Sequence, residues 1–112
     1  MEGVIVTEPA VDEANAATKA FLDTYTAKYG SAPFPLFQAG AYDITFLARD
    51  AFVGGATTGE AIREWLAGLG ERQGALGAYR FDGNGDAVFA TYAIMKAENG
   101  AFTKLSTEKV GG

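Results

Sequence analysis

No cysteine and no histidine occur anywhere in the 112 residues. The first absence excludes disulfides, thiolate metal sites and cysteine nucleophiles. The second removes the Ser-His-Asp and Cys-His arrangements, the usual zinc ligand and the side chain most often used as a general base near neutral pH. Positive charge is scarce as well. Nine Lys and Arg stand against fourteen Asp and Glu, a net charge of −5, and no basic cluster forms a stripe able to neutralise a phosphate backbone, so nucleic acid is not an expected partner. Long apolar runs are missing too: none approaches the ~20 residues of a membrane helix, and "MEGVIVTEPA" lacks the basic start and long apolar middle of a signal peptide. The expectation is a soluble chain, not inserted in a membrane and without an export signal of its own, either cytoplasmic or a piece whose targeting segment lies elsewhere. What is present, 48% hydrophobic and 21% charged residues without a low-complexity run, belongs to one globular domain or part of one.

Along the chain, "GVIVT" (3–7) is a β-branched run ended by Glu8-Pro9, as expected of a strand buried on both faces. Asp12 is a plausible N-cap for a helix over about 13–29, with Ala17, Phe21, Leu22 and Tyr25 on its buried face and Gly30 as its stop. "SAPFPLFQ" holds two of the three prolines and reads as an extended connector with at most a short strand at 36–38. In the next helix Ile44, Leu47, Ala48 and Ala51 form a stripe, Phe46 and Val53 make the opposite side apolar as well, and Gly54-Gly55 ends the run, so this helix should sit between two layers. Thr57 with Glu60 has capping-box spacing, followed by Ile62, Trp65, Leu66 and Leu69 on one face. "GLGERQGALG" reads as a loop, followed by strands near 77–82, 87–97 and 101–106, with Asn99-Gly100 as a two-residue hairpin turn. The order is β-α-(β)-α-α-β-β-β, an α/β chain ending in an antiparallel meander.

Candidate sites are few. Asp82, Asn84 and Asp86 alternate as in the start of an EF-hand loop, but its sixth position would be Ala87 and its bidentate acid Ala93, between strands rather than helices. A phosphate loop would need a Gly-Lys-Ser/Thr ending and a following helix. The turn therefore reads as a chain reversal, and no metal or cofactor is expected. Tyr42-Asp43 lies at the expected start of the second helix, where a first-turn acid complements the dipole; the pair suits a ligand contact, and equally a favourable charge beside a packing residue. Phe37 and Gln38 pair an aromatic with an amide, a composition suited to a small polar ligand or to a layer interface. The acids of "TEPAVDE" read as solvated charges, because nothing in their spacing fixes two carboxylates across a cleft.

Taken together, "GVIVTEP", "FLDTYTAKYG", the proline-rich connector, "AYDITFLARDA", "AIREWLAGL" and "FDGNGDAVFATYAIMKAENGAF" resemble the C-terminal third of type I periplasmic solute-binding proteins, nearest the branched-chain amino-acid receptors of ABC transporters. The resemblance covers about residues 2–106 and is carried by Lys28-Tyr29-Gly30, Ala41-Tyr42-Asp43, Phe81-Asp82 and Asn84-Gly85-Asp86 in that order. It implies a bilobed fold with residues 2–12 and 75–108 in the second lobe and 13–74 in the first. It implies a non-enzymatic receptor that closes on an amino acid or similar small polar solute and presents it to permease subunits, in the periplasm or cell envelope. Most ligand-gripping residues of the family precede this segment; by the resemblance only Phe37, Gln38 and Tyr42 approach the ligand. The alternative is a ligand-sensing or protein-interaction module of the same fold. An enzyme would need a nucleophile-base pair or phosphate loop that the sequence does not offer. A chain carrying only this third would expose helix faces and strand edges and is expected to associate with itself, with or without exchanged strands.

Overall fold

A computed structural model describes residues 1–89 and 91–110. The elements run β1 (Ile5–Pro9), α1 (Ala16–Tyr29), α2 (Pro35–Val53), α3 (Gly59–Ala67), β2 (Arg72–Gly74), β3 (Gly77–Phe81), β4 (Ala87–Phe89), β5 (Thr91–Glu98) and β6 (Ala101–Lys109). They build two antiparallel three-stranded sheets, β1-β5-β6 and β2-β3-β4. The mixed α/β class is as expected, but the single terminal meander is not. The strand expected over 87–97 is two strands in different sheets, with position 90 outside the described residues. Alternating apolar residues run through the break, so periodicity alone could not place it.

Several local expectations shift for identifiable reasons. β1 begins at Ile5, which is 54% exposed, so the strand is not buried on both faces as expected; it lies at the edge of its sheet, paired only with β5. Asn15, not Asp12, caps α1: its Oδ1 accepts from the Ala17 N–H at 2.9 Å, while Asp12 accepts from the Ala14 N–H in a tighter turn upstream. The connector and short strand expected at 31–38 are replaced from Pro35 onward by α2. Proline fits the first turn of a helix, where its missing N–H has no partner to lose. Thr58, not Thr57, caps α3 by accepting from the Ala61 N–H at 3.2 Å. The half-buried residues Ile62, Trp65, Leu66 and Leu69 share a face as expected. β2 falls inside the stretch read as loop, because its hairpin turn Ala75-Leu76 has none of the usual turn residues at its centre.

Two turns match expectation. Asn99 at φ 54° and Gly100 at φ 77° make the two-residue hairpin between β5 and β6. In the 82–86 turn the Asp82 N–H donates to the Asp86 carbonyl at 2.9 Å, and Asp82 Oδ1 accepts from the N–H groups of Asn84 and Asp86. That carboxylate is committed to reversing the chain. β6 runs to Lys109, and its register against β5 slips between Ile94 and Met95, leaving Leu105 unpaired in a bulge.

The core is small. Val11, Ala39 and Ala75 are buried, with Phe21, Leu22 and Leu76 packed against them. Phe37, Ile44, Phe52 and Val53 of α2 are at least 63% exposed. The total exposed surface is 7231 Å², against about 5,900 Å² for a compact monomer of this mass. The radius of gyration, 16.0 Å, likewise exceeds the ~13 Å of a compact chain near this length.

Candidate functional site

α2 separates three hollows. The first, an open cleft of about 760 Å³, lies between the β1-β5-β6 sheet and the N-terminal turns of α2. Met95, Lys104 and Thr107 form its sheet wall, Phe34 and Phe37 its helix wall, and the crossing from Pro9 to Ala14 its floor. Three acids, Glu8, Asp12 and Glu13, stand along it, opposite the single base Lys104. The second, a groove of about 810 Å³, runs between α1 and α2. A third, of about 460 Å³, lies between α2 and the β2-β3-β4 sheet, lined by Ile44, Leu47, Tyr79 and Phe81 among others.

The three residues expected near a ligand do not converge. Successive helical residues point about 100° apart, so Phe37 faces the first cleft while Gln38 and Tyr42 face the α1-α2 groove. Phe37 is 75% exposed, an aromatic ring held out into the cleft mouth. Gln38 donates from Nε2 to the Tyr25 hydroxyl at 3.4 Å, and its Oε1 is buried without a partner among the described residues. Tyr42 sits between Phe21 (5.0 Å between ring centroids) and Phe46 (4.7 Å), in a ladder that continues through Tyr25 to Tyr29 and ends under the cations of Arg49 and Lys28. The sequence did not single out Phe34 or Lys104 as cleft residues. Phe34 lay in the proline-rich stretch beside Phe37, and Lys104 alternates with solvent-facing residues.

Asp43 has a different task from the first-turn charge expected of it. α2 starts eight residues earlier, and Asp43 is buried at 4% exposure. Its carboxylate accepts from the N–H groups of Ala75 (2.8 Å) and Leu76 (3.0 Å), satisfying both amides of the β2-β3 turn. Gly74 is required beside it, since a Cβ there would stand 2.5 Å from Asp43 Oδ2. The Leu76 carbonyl faces the other way and accepts from the Asp12 N–H at 3.3 Å. On the same side of α2, burial first and the negative charge of Asp43 second push the Tyr79 hydroxyl up to about 12, with Arg72 opposing. That hydroxyl is buried without a partner among the described residues. Near the far end of α2, Asp50 is bound by Arg49 and by Arg72 of β2 (2.8 Å), and these two guanidiniums hold its carboxyl below the usual value.

Among the described residues lining the first cleft, no nucleophile is paired with a base. Residues 1–101 match the family model described as periplasmic binding protein, and the chain belongs to that family. The leucine-binding protein of Thermotoga maritima superposes with a TM-score of 0.74 at 28% identity, over 96% of this chain and 31% of its own. An ABC transporter substrate-binding protein from Desulfitobacterium hafniense, solved in complex with Leu, gives 0.65 at 27% identity, over 93% of this chain and 31% of its own. A solute-binding protein from R. palustris in complex with benzoate gives 0.66 at 21% identity, over 99% and 32%, a likeness of fold. The chain thus spans about a third of the length of these structures, and its fold is that part of the type I periplasmic-binding fold. No curated protein matches it. Among the described residues no helix is long and apolar enough to cross a membrane.

Proposed function

We propose that the chain is the C-terminal part of an extracytoplasmic solute-binding protein that delivers a small solute, a branched-chain or other amino acid, to the permease subunits of an ABC transporter. One observation carries this reading. The fold matched at TM-score 0.74 and 28% identity is that of a leucine-binding protein, and the cleft it leaves open here has an apolar aromatic wall at Phe34 and Phe37 facing a charged floor and Lys104. Such a mixture suits a molecule with an apolar side chain and charged ends. Phe37 is the residue proposed to touch solute. Gln38 and Tyr42, bonded and stacked toward α1, act one layer back by holding the helix that presents it. Delivery of this kind requires no covalent chemistry.

The two lobes are proposed to follow the sheets, β1-β5-β6 in one and α1 to α3 with β2-β3-β4 in the other. The boundary expected at 74/75 would cut the β2-β3 hairpin, whose register pairs Gly74 with Gly77. Titration calorimetry with a panel of amino acids and aromatic acids, on this chain and on a protein carrying it within the complete fold, tests the reading. Saturable heat with an aliphatic amino acid in the complete protein, lost or weakened at least tenfold by Phe37→Ala, is the expected result. Binding indifferent to Phe37, or none across the panel, overturns it.

A further inference from the structure

The floor of the first cleft is also its joint, and one residue in it is tied to both walls. Val11 is buried in the core of the helical block, and the Asp12 N–H donates to the Leu76 carbonyl, so residues 11 and 12 move with that block. The turn that supplies this carbonyl is itself pinned to α2 through Asp43. From there the Asp12 side chain reaches back across the joint. Oδ1 accepts from the Ala14 N–H, and Oδ2 meets Lys109 Nζ at 3.0 Å. Lys109 is the last residue of β6 and pairs across the ladder with Thr91, the first residue of β5. Thr91 in turn accepts, through its carbonyl, from the Ala10 N–H at 3.1 Å. Asp12 has a side chain only 14% exposed, and Gly77 keeps room for it: a Cβ there would stand 3.0 Å from the Asp12 Cβ.

We propose that the Asp12–Lys109 ion pair is a latch across the joint between the two blocks, setting how far the β1-β5-β6 sheet swings from the helix wall that carries Phe37. The chain crosses between the blocks at residues 9–12 and again from β4 to β5, and two crossings still leave one hinge rotation about the line through them. A charge pair at the end of β6, anchored through Asp12 to the Ala75-Leu76 turn and thence to α2, selects one angle. Its purpose rests on reading the cleft as the solute site, but the latch itself does not. Lys109 is 69% exposed on its side chain, so the pair is of the screened kind. Its loss should lower the population of the angle seen here by about two- to fivefold rather than abolish it.

Because the chain has no cysteine, spin labels can be placed without a background. Labels at Val53→Cys on α2 and Thr103→Cys on β6 report the angle between blocks by pulsed dipolar spectroscopy. A pair at Ala27→Cys and Val53→Cys reports the helical block alone. Excess unlabelled chain removes distances between copies. The expected result is that Lys109→Gln broadens or shifts the distribution between blocks, that Lys109→Arg restores it, that 1 M NaCl mimics Lys109→Gln in the parent sequence and adds little to it, and that the pair within the block stays fixed throughout. An unchanged distribution between blocks in Lys109→Gln overturns the latch. So does a salt response of the same size with and without Lys109, or a glutamine effect that moves the pair within the block as well. None of these readouts uses a solute, so a failed calorimetric panel with an intact latch would indict the functional reading alone.

Discussion

Asp43 shows how a single side chain can be legible as a residue and not as a role. Its charge and its neighbour Tyr42 marked the position, but the prolines at 33 and 35 suggested a connector, and that placed the start of α2 too late. With the helix begun at Pro35, position 43 falls in its interior facing a hairpin that the sequence read as loop. Asp43→Ala leaves one buried and one half-buried amide without an acceptor and should cost about 2–3 kcal/mol in urea unfolding. Gly74→Ala, by forcing a methyl onto the same carboxylate, should destabilise to a similar degree without removing any polar group. Tyr79 gives the opposite kind of test. Its hydroxyl is buried and has no partner among the described residues, so Tyr79→Phe should be neutral or slightly stabilising at pH 7. Its folded-state value is raised from 10.0 to about 12, so the hydroxyl carries no pH penalty below pH 10, and between 10 and 12 the unfolded chain ionises first and stability falls as pH rises. The phenylalanine variant should therefore lose less stability than its parent between pH 10 and 12, as measured by chemical unfolding across that range.

Helices were read more accurately than strands, and the reason lies in where the information sits. α1 and α3 are specified by nearest turns: an apolar face, a cap and a glycine. Two details needed atoms: in α1 the expected Ala17 is exposed and Thr18 is the fully buried residue, and adjacent cap candidates such as Thr57 and Thr58 differ in backbone direction and not in chemistry. Thr58→Ala should cost about 1 kcal/mol and Thr57→Ala close to nothing, a contrast that thermal unfolding of the two variants resolves. Strands depend on partners elsewhere in the chain. β2 has three residues and no apolar side chain among them, and the division between β4 and β5 follows from membership of two sheets rather than from any local breaker. The β6 bulge at Leu105 is equally silent in the sequence. It twists the longest open strand, and with Lys104 and Lys109 it blunts an edge that would otherwise invite pairing.

At the scale of the molecule, the order of motifs pointed to the right fold, while the cleft was only partly readable. Phe37 came from the sequence; the separation of Gln38 and Tyr42 from it required knowing which way α2 turns. The surface excess over a compact monomer, with Ile44 and Phe52 among its exposed parts, should drive association of the isolated chain. Light scattering is expected to give a mass above 11.7 kDa that rises with concentration, and a value fixed at one chain over a wide range would show that the exposed faces are tolerated.

The Ala75-Leu76 turn has one more consequence. A two-residue reversal at the end of a three-residue strand would ordinarily trade its protons with solvent within moments. Here both amides end on a carboxylate sealed beneath α2, so in deuterium they should persist as long as helical positions do, and fade early only if that helix lifts away.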